Sequence, residues 1–269
     1  MSEDLVIVSV EDRIGRLSFN RPKALNAFSH GLMEQATAAL KRLADDPGVL
    51  AIVVSGEGRA FSAGFDLKEG EGQARETLED WKRVLDYDFD FIVQFWDCPK
   101  PIVAAVQGYC LAGAFEVMLA CDLTVASEGA RFGEPEVRFG SGIVCMLLPW
   151  MTTPKLAKEL LLTGADRITA QRMYEIGIVN RVVPDGQHIE GAMALARDIA
   201  AAAPHSVKFT KRAINRTYET MGLKGALAQA LDAELMIESS AGPERKEFNR
   251  IRNEKGLKAA IEWRDARFR

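Results

Sequence analysis

The chain has 269 residues, of which 48% are apolar and 27% charged, a composition suited to one large packed α/β unit. Its 38 acids and 34 bases leave a net charge of -4, which carries no nucleic-acid footprint but leaves room for a local basic patch facing a phosphorylated ligand. Cys98, Cys110, Cys121 and Cys145 show no C-x-x-C spacing and histidines are only three, so reduced, buried thiols are expected, and a zinc site or a Ser-His-Asp triad has little material.

In chain order, Leu5 to Val10 and Arg16 to Phe19 read as a strand pair joined by the turn Asp12-Arg13-Ile14-Gly15. Ser29 is the expected N-cap of a helix reaching Ala44, with Leu32, Ala36, Ala39, Leu40 and Leu43 on one face. Asp45-Asp46-Pro47-Gly48 stops it. A buried strand is expected over Val49 to Val54, a mobile loop over 68–77 and a helix over Leu78 to Trp96. Ile102 to Val106 reads as a strand, Gly108 to Gly113 as a small-residue turn, Ala114 to Ala120 as an apolar helix and Leu123 to Ala126 as a strand.

This alternation predicts α/β layering. Beyond about residue 153 the pattern turns helical, over 154–163, 169–176, 188–202, 206–221 and 224–240, with one strand at Ile178 to Val183. Residues 1–200 read as an α/β core and 201–269 as a helical region of the same structural unit. The acidic Met-Ser-Glu-Asp start lacks the marks of a targeting segment, and the longest apolar stretch, Ile143 to Met151, is too short to span a bilayer. A cytoplasmic protein that works without a membrane is the expectation.

Two turns attract chemical interest. Phe61-Ser62-Ala63-Gly64-Phe65-Asp66-Leu67 and Gly108-Tyr109-Cys110-Leu111-Ala112-Gly113-Ala114 each follow a strand, and their small residues let a ligand approach the backbone. The second opens a helix, whose N-terminal amides favour negative charge. On composition alone, ordinary strand–helix connections account for both. Two acids also stand out. Glu116 lies in an apolar helix, where an acid is either paired or functional. Glu136 lies in the turn Phe132-Gly133-Glu134-Pro135-Glu136-Val137, and could be a solvated loop acid or half of an acid–base pair.

The order of motifs over nearly the whole chain resembles the crotonase (enoyl-CoA hydratase/isomerase) superfamily. The matching pieces are Asn20-Arg21-Pro22-Lys23-Ala24-Leu25-Asn26-Ala27, Phe61 to Lys68, Lys100 to Gly108, Ala112-Gly113-Ala114-Phe115-Glu116, Cys121-Asp122, Phe132 to Glu136, Leu161-Leu162-Thr163-Gly164 and Ala170 to Val179. The resemblance implies a spiral of ββα repeats with a C-terminal helical trimerisation region, assembling as a homotrimer or a dimer of trimers. It implies an acyl-CoA substrate, with coenzyme A part of the substrate and no separate cofactor or metal. The family's oxyanion hole falls on the backbone N–H groups of Ala63 and Gly113, and its two hydratase glutamates on Glu116 and Glu136.

Lys23, Ala24, Asp66, Leu67 and Lys68 fall in the family's CoA-binding segments. Both glutamates together favour hydration of a 2-enoyl-CoA over the alternative, Δ3-Δ2-enoyl-CoA isomerisation, and over a catalytically silent acyl-CoA-binding subunit. One departure stands out. After Gly140-Ser141-Gly142, where many hydratases are Gly-rich, this chain continues Ile143-Val144-Cys145-Met146-Leu147-Leu148. The acyl pocket could be reshaped there, with Phe115, Trp81, Phe89 and Trp96 among its walls, the water site could be altered and the reaction become a double-bond shift, or the segment could be a repacked helix start with unchanged chemistry. Trp263 stands where a CoA-contacting lysine is often seen in the family, so that contact is not expected.

Overall fold

A computed structural model describes residues 4–69 and 77–268. Strands β1 (Val6–Glu11) and β2 (Ile14–Phe19) precede helix α1 (His30–Asp45), strand β3 (Ala51–Gly56) and helix α2 (Leu78–Asp97). Next come β4 (Ile102–Val106), β5 (Tyr109–Leu111), α3 (Gly113–Ala120), β6 (Leu123–Ser127) and β7 (Arg131–Gly133). The remainder is α4 (Leu148–Met151), α5 (Pro154–Thr163), β8 (Ile168–Thr169), α6 (Ala170–Glu175), β9 (Arg181–Val183), α7 (His188–Ala201), α8 (Pro204–Thr220), α9 (Leu223–Ser240), α10 (Pro243–Lys255) and α11 (Leu257–Ala266).

Two sheets result. The larger runs β1-β2-β3-β4-β6-β9, with β1 and β2 antiparallel and every later pairing parallel. The smaller runs β5-β7-β8. A parallel sheet needs cover on both faces, and β3 alternates accordingly. Ala51 and Val53 join a cluster with Ala192, Met193 and Ala196 of α7, while Ile52 and Val54 face the main core with α1 and α2. Every residue of β3 and β4 is buried.

Helix starts follow local chemistry. Ser29 caps α1 by accepting the Leu32 N–H at 3.3 Å, and Thr77 with Asp80 forms a capping box for α2. The opening hairpin and the helices at 30–45 and 78–97 stand where the sequence puts them. The expected strand at 49–54 forms two residues later, because Val49 is held in a turn by its N–H to Asp46 C=O, 3.1 Å. The expected strand at Ile178 to Val183 shrinks to β9, since the Ile178 and Val179 N–H groups bond back to Met173 C=O. The small-residue turn at 108–113 contains β5, which pairs in parallel with β7. Of the loop expected over 68–77, residues 70–76 lie outside the described residues.

The family-like motifs explain themselves as joints. Asn26 is fully buried and takes φ 54. Its Oδ1 accepts the Arg21 N–H at 2.8 Å, and its Nδ2 donates to Glu57 and Ala60 C=O at 2.9 and 2.8 Å. Asp122 accepts from the Ile102 N–H at 2.7 Å and from Lys211 Nζ of α8 at 2.6 Å. Lys211 is buried, so this pair fixes the C-terminal helices to the sheet. Among the described residues no helix is long and apolar enough to cross a membrane.

Candidate active site

The two turns singled out by sequence meet in space. Ser62 pairs with Cys110, and Phe28 pairs with Phe65, as isolated parallel bridges. The 61–66 loop is thereby stitched to 20–28 on one side and to β5 on the other. The Ala63 N–H donates to Leu25 C=O at 3.0 Å, the Phe28 N–H to Gly64 C=O at 2.8 Å and the Asp66 N–H to Phe28 C=O at 3.0 Å. Arg21 Nη1 donates to Asp66 Oδ2 at 2.9 Å and to Ala27 C=O at 2.6 Å.

This corrects the expected pair of free amides. The Ala63 N–H is engaged by Leu25 C=O. Among the described residues the N–H groups of Phe65 and Gly113 meet no acceptor. Phe65 is itself the bridge residue opposite Phe28: the bonds of that bridge use the Gly64 C=O and the Asp66 N–H, and the Phe65 N–H is in neither. Gly113 opens α3, where the first N–H groups have no partner within the helix.

Close approach sets the residue types. Gly64 has φ +86, and a Cβ there would lie 2.6 Å from Ala112 Cβ and 3.2 Å from the Gly113 nitrogen. A Cβ on Gly113 would lie 2.4 Å from Cε2 of Phe65, whose ring also packs edge-on to Phe28 at 6.0 Å between centroids. Ala112 takes φ 58 and ψ -139, a conformation that costs a non-glycine residue about 1–3 kcal/mol. It is held there by its own N–H to Gly133 C=O, 2.8 Å, and by its C=O, which accepts from Phe115 and Glu116.

The acids lie beside this junction. Every residue of α3 is buried, Glu116 included. Glu116 Oε1 accepts the Cys145 N–H at 2.8 Å. Burial pushes its proton affinity well above the usual carboxylate range, Glu136 and Glu234 add to the rise, and the Cys145 N–H opposes it. Glu136 opens a 3-10 turn, Glu136–Phe139, and is pushed up to about 7, chiefly by burial. Its Oε2 meets no partner among the described residues. Glu134 is buried next to it, and is raised by burial and by Glu136 and Glu116.

The departure after Gly142 proves to be core. Cys145, Leu147 and Leu148 are fully buried, with Ile143 and Val144 nearly so. The segment's chemical contribution is the single amide on Glu116. The aromatic candidates for the pocket wall divide. Phe115 and Trp96 are buried in the main core and Phe89 packs against it.

Of the CoA-segment residues, Lys23 and Lys68 are exposed, on loops tied together by the Arg21–Asp66 pair. Ala24 belongs to the 3-10 turn Pro22–Ala24. Asp66 is engaged by Arg21 and by the Lys68 N–H at 3.0 Å, so its side chain braces the loop. Leu67 packs against Phe139, Phe248 and Ile251, and its C=O accepts from Arg252 Nη1 at 3.1 Å. Trp263 packs on the same cluster under the Arg267 guanidinium.

Sequence reasoning passed over Phe65, Glu134 and Glu234. Bridge pairing, which decides the amide, is invisible in sequence. Glu134 could have been found, standing two residues before Glu136 in the same Gly/Pro-shaped turn. Glu234 also leaves a trace: it sits among Leu227, Leu231 and Leu235, on the stripe that α9 turns to the core.

The chain matches the enoyl-CoA hydratase/isomerase family over residues 9–269. It is 37% identical to a probable mitochondrial enoyl-CoA hydratase of Dictyostelium discoideum over 77% of this chain and 74% of that protein. It is 32% identical to a mitochondrial enoyl-CoA hydratase of Pongo abelii over 95% of this chain and 83% of that protein. Among solved structures, an enoyl-CoA hydratase/isomerase from Xanthobacter autotrophicus Py2 superposes with a TM-score of 0.96 at 46% identity, covering 100% of both chains. The chain therefore belongs to the enoyl-CoA hydratase/isomerase (crotonase) family, and it is an enzyme of the acyl-CoA-using crotonase fold.

The raised carboxyls predict a pH dependence of stability. Unfolding returns Glu116, Glu134 and Glu136 to ordinary values near the reference of 4.5, so above that pH the unfolded chain releases protons that the native state keeps. Stability falls as pH rises through the window from about 4.5 to about 7 for Glu136, and further for the others. Thermal unfolding followed from pH 5 to pH 8 should show the midpoint dropping, with a shallower slope in Glu134→Gln.

Proposed function

We propose that this enzyme is an enoyl-CoA hydratase, adding water reversibly across the conjugated double bond of a 2-enoyl-CoA thioester. The observation that carries the reading is the pair of buried carboxyls, Glu116 and Glu136, beside the unengaged amides of Phe65 and Gly113. In this reading the thioester oxygen accepts from those two N–H groups. Addition of water at the β-carbon develops negative charge on that oxygen, and preorganised amides stabilise it at the moment it forms. Loss of one such donor typically costs about 2.7–4 kcal/mol of transition-state stabilisation.

The carboxyls divide the proton work. Burial and mutual repulsion disfavour two charges at once, as the rise of Glu116 through Glu136 reflects. The singly protonated pair is the state hydration needs: one carboxylate takes a proton from water and one carboxylic acid gives a proton to the α-carbon. Glu116, its Oε1 oriented by the Cys145 N–H, holds the water and takes its proton as base. Glu136 acts as acid. The isomerase alternative needs a single carboxylate and drew support from the apolar 143–148 segment. The Cys145 N–H of that segment on Glu116, with Glu136 also buried, supports hydration over that alternative.

Lys23 and Lys68 supply positive charge to the CoA phosphates from their paired loops, while Ala24 and Leu67 offer backbone to the nucleotide and pantetheine. Self-association fits the exposed apolar side chains of Leu162, Phe209, Ile214, Met221 and Met236, which a single chain leaves in water.

Loss of the conjugated thioester absorbance should report hydration of short 2-enoyl-CoA substrates. Glu116→Gln and Glu136→Gln should each lower kcat by about 10²–10⁴-fold while acyl-CoA still binds; unchanged turnover in either variant refutes its assignment. The double variant Lys23→Ala, Lys68→Ala should raise KM with kcat nearly intact, and more so at low salt. An equal KM at all ionic strengths would remove both lysines from the CoA site. Sedimentation equilibrium should give a trimer or a multiple of three, and a stable monomer at micromolar concentration would contradict the assembly.

A further inference from the structure

Helix α9 carries two buried acids one turn apart, Glu234 and Glu238, each 3% exposed. Glu238 has its compensation. Arg245 Nη2 of α10 donates to its Oε2 at 2.8 Å, and the Ser141 hydroxyl donates to its Oε1. Glu234 does not. Its Oε2 is buried and meets no partner among the described residues, and like charges at this spacing on a helix repel. A carboxyl kept in that state is a cost with no structural return in the fold.

Its position relates it to the catalytic pair. The 141–145 segment follows Glu136 directly, and three of its residues each meet a carboxyl: Ser141 on Glu238, Gly142 on Glu234 and Cys145 on Glu116. A Cβ on Gly142 would lie 1.8 Å from Glu234 Oε2, so Gly142 is what admits the carboxyl to this place. Glu234 is near enough to Glu116 to raise its proton affinity, and Glu136 raises that of Glu234.

We infer that Glu234 is a third carboxyl of the acyl-CoA site, a specificity residue that selects acyl chains bearing a hydroxyl or carbonyl oxygen beyond the β-carbon over plain alkyl chains. The inference rests on the hydratase reading for its location, but concerns the acyl chain and not the water addition. The groups facing Glu234 are Glu238 on its own helix, Glu136 and Glu116 from the core, Arg245 from α10 and the Gly142 backbone. Burial first, then Glu238 and Glu136, push its carboxyl up to about 9, with Arg245 and Gly142 opposing. At neutral pH it is therefore a neutral acid, with one O–H to donate and one C=O to accept. An oxygen on the substrate satisfies it, whereas a methylene leaves it unpaired, and sites built to hydrogen-bond a substrate group discriminate strongly against the analogue lacking it.

The test compares two 2-enoyl-CoA thioesters of equal chain length, one with a hydroxyl beyond the β-carbon and one without, in the wild type, Glu234→Leu and Glu234→Gln. The wild type should prefer the hydroxylated substrate by at least about tenfold in kcat/KM. Glu234→Leu should erase or invert that ratio, and Glu234→Gln, which keeps a donor and an acceptor, should retain most of it. Equal kcat/KM for both substrates in the wild type, or an unchanged preference in Glu234→Leu, overturns the inference. Calorimetric binding of the matching saturated acyl-CoA pair separates the two readings. Preference in binding with no hydration of either enoyl thioester would refute the hydratase reading and uphold Glu234. Hydration of both without preference would do the reverse.

Discussion

Carboxyl groups buried without enough cations to neutralise them are the constraint around which this molecule is arranged. Glu116, Glu134, Glu136 and Glu234 all lie in the interior, while Arg245, which faces Glu234, is committed to Glu238, and Arg264, which acts on Glu136, is paired with Asp166. A lone buried charge is expensive, and a group so placed neutralises itself by holding its proton. The upward shifts of all four follow from that, with Glu136 left near the middle of the physiological range. A reaction that must take one proton and give another uses this arrangement directly. The stability forgone at neutral pH is the counterpart of a site poised to exchange protons.

The second requirement is a pair of unengaged amides beside those acids, and backbone pairing supplies it. Loops at 20–28 and 61–66 and strand β5 form one hydrogen-bonded patch, in which Ala63, Asp66 and Phe28 donate to one another's neighbours. The bridge to Phe28 uses the groups on either side of Phe65 and not its own N–H, and helix geometry leaves the Gly113 N–H without a partner inside α3. Gly64 and Gly113 bring the two together because a Cβ on either would strike the opposite turn. Asn26 and the Arg21–Asp66 pair serve this patch and not the chemistry, so motif residues that look catalytic in a list are here the joinery behind two N–H groups.

That distinction shows what the sequence could disclose. The hairpin, α1, α2 and the buried strands were legible because apolar periodicity and capping residues act locally. Strands β5, β7 and β8, of two or three residues each, were not, since such short segments carry no period and exist through their pairing. Glu116 stood out as an acid in an apolar helix, and burial gives that anomaly its meaning. Ala63 illustrates the limit: motif order locates the loop, but which of its amides is free depends on a carbonyl 38 residues earlier, Leu25, reached only through the fold. The apolar run after Gly142 leaves a reshaped pocket, an altered water site or a repacked helix start open in sequence; in space it is buried, with one amide turned to Glu116.

The C-terminal helices are more than an appended arm. Lys211 of α8 completes the buried pair with Asp122 at the end of the central sheet, and Arg252 of α10 reaches the carbonyl of Leu67 in the CoA-segment loop. Arg264 of α11 meets Asp166, which also binds Arg138 just beyond Glu136. These contacts tie the central sheet, the Leu67 loop and the turn that carries Glu136 to residues beyond position 200. On the reading proposed for the site, a region coupled in this way can vary the acyl chain without touching the amides of Phe65 and Gly113. Glu234 placed opposite Gly142 is the form that such variation takes here.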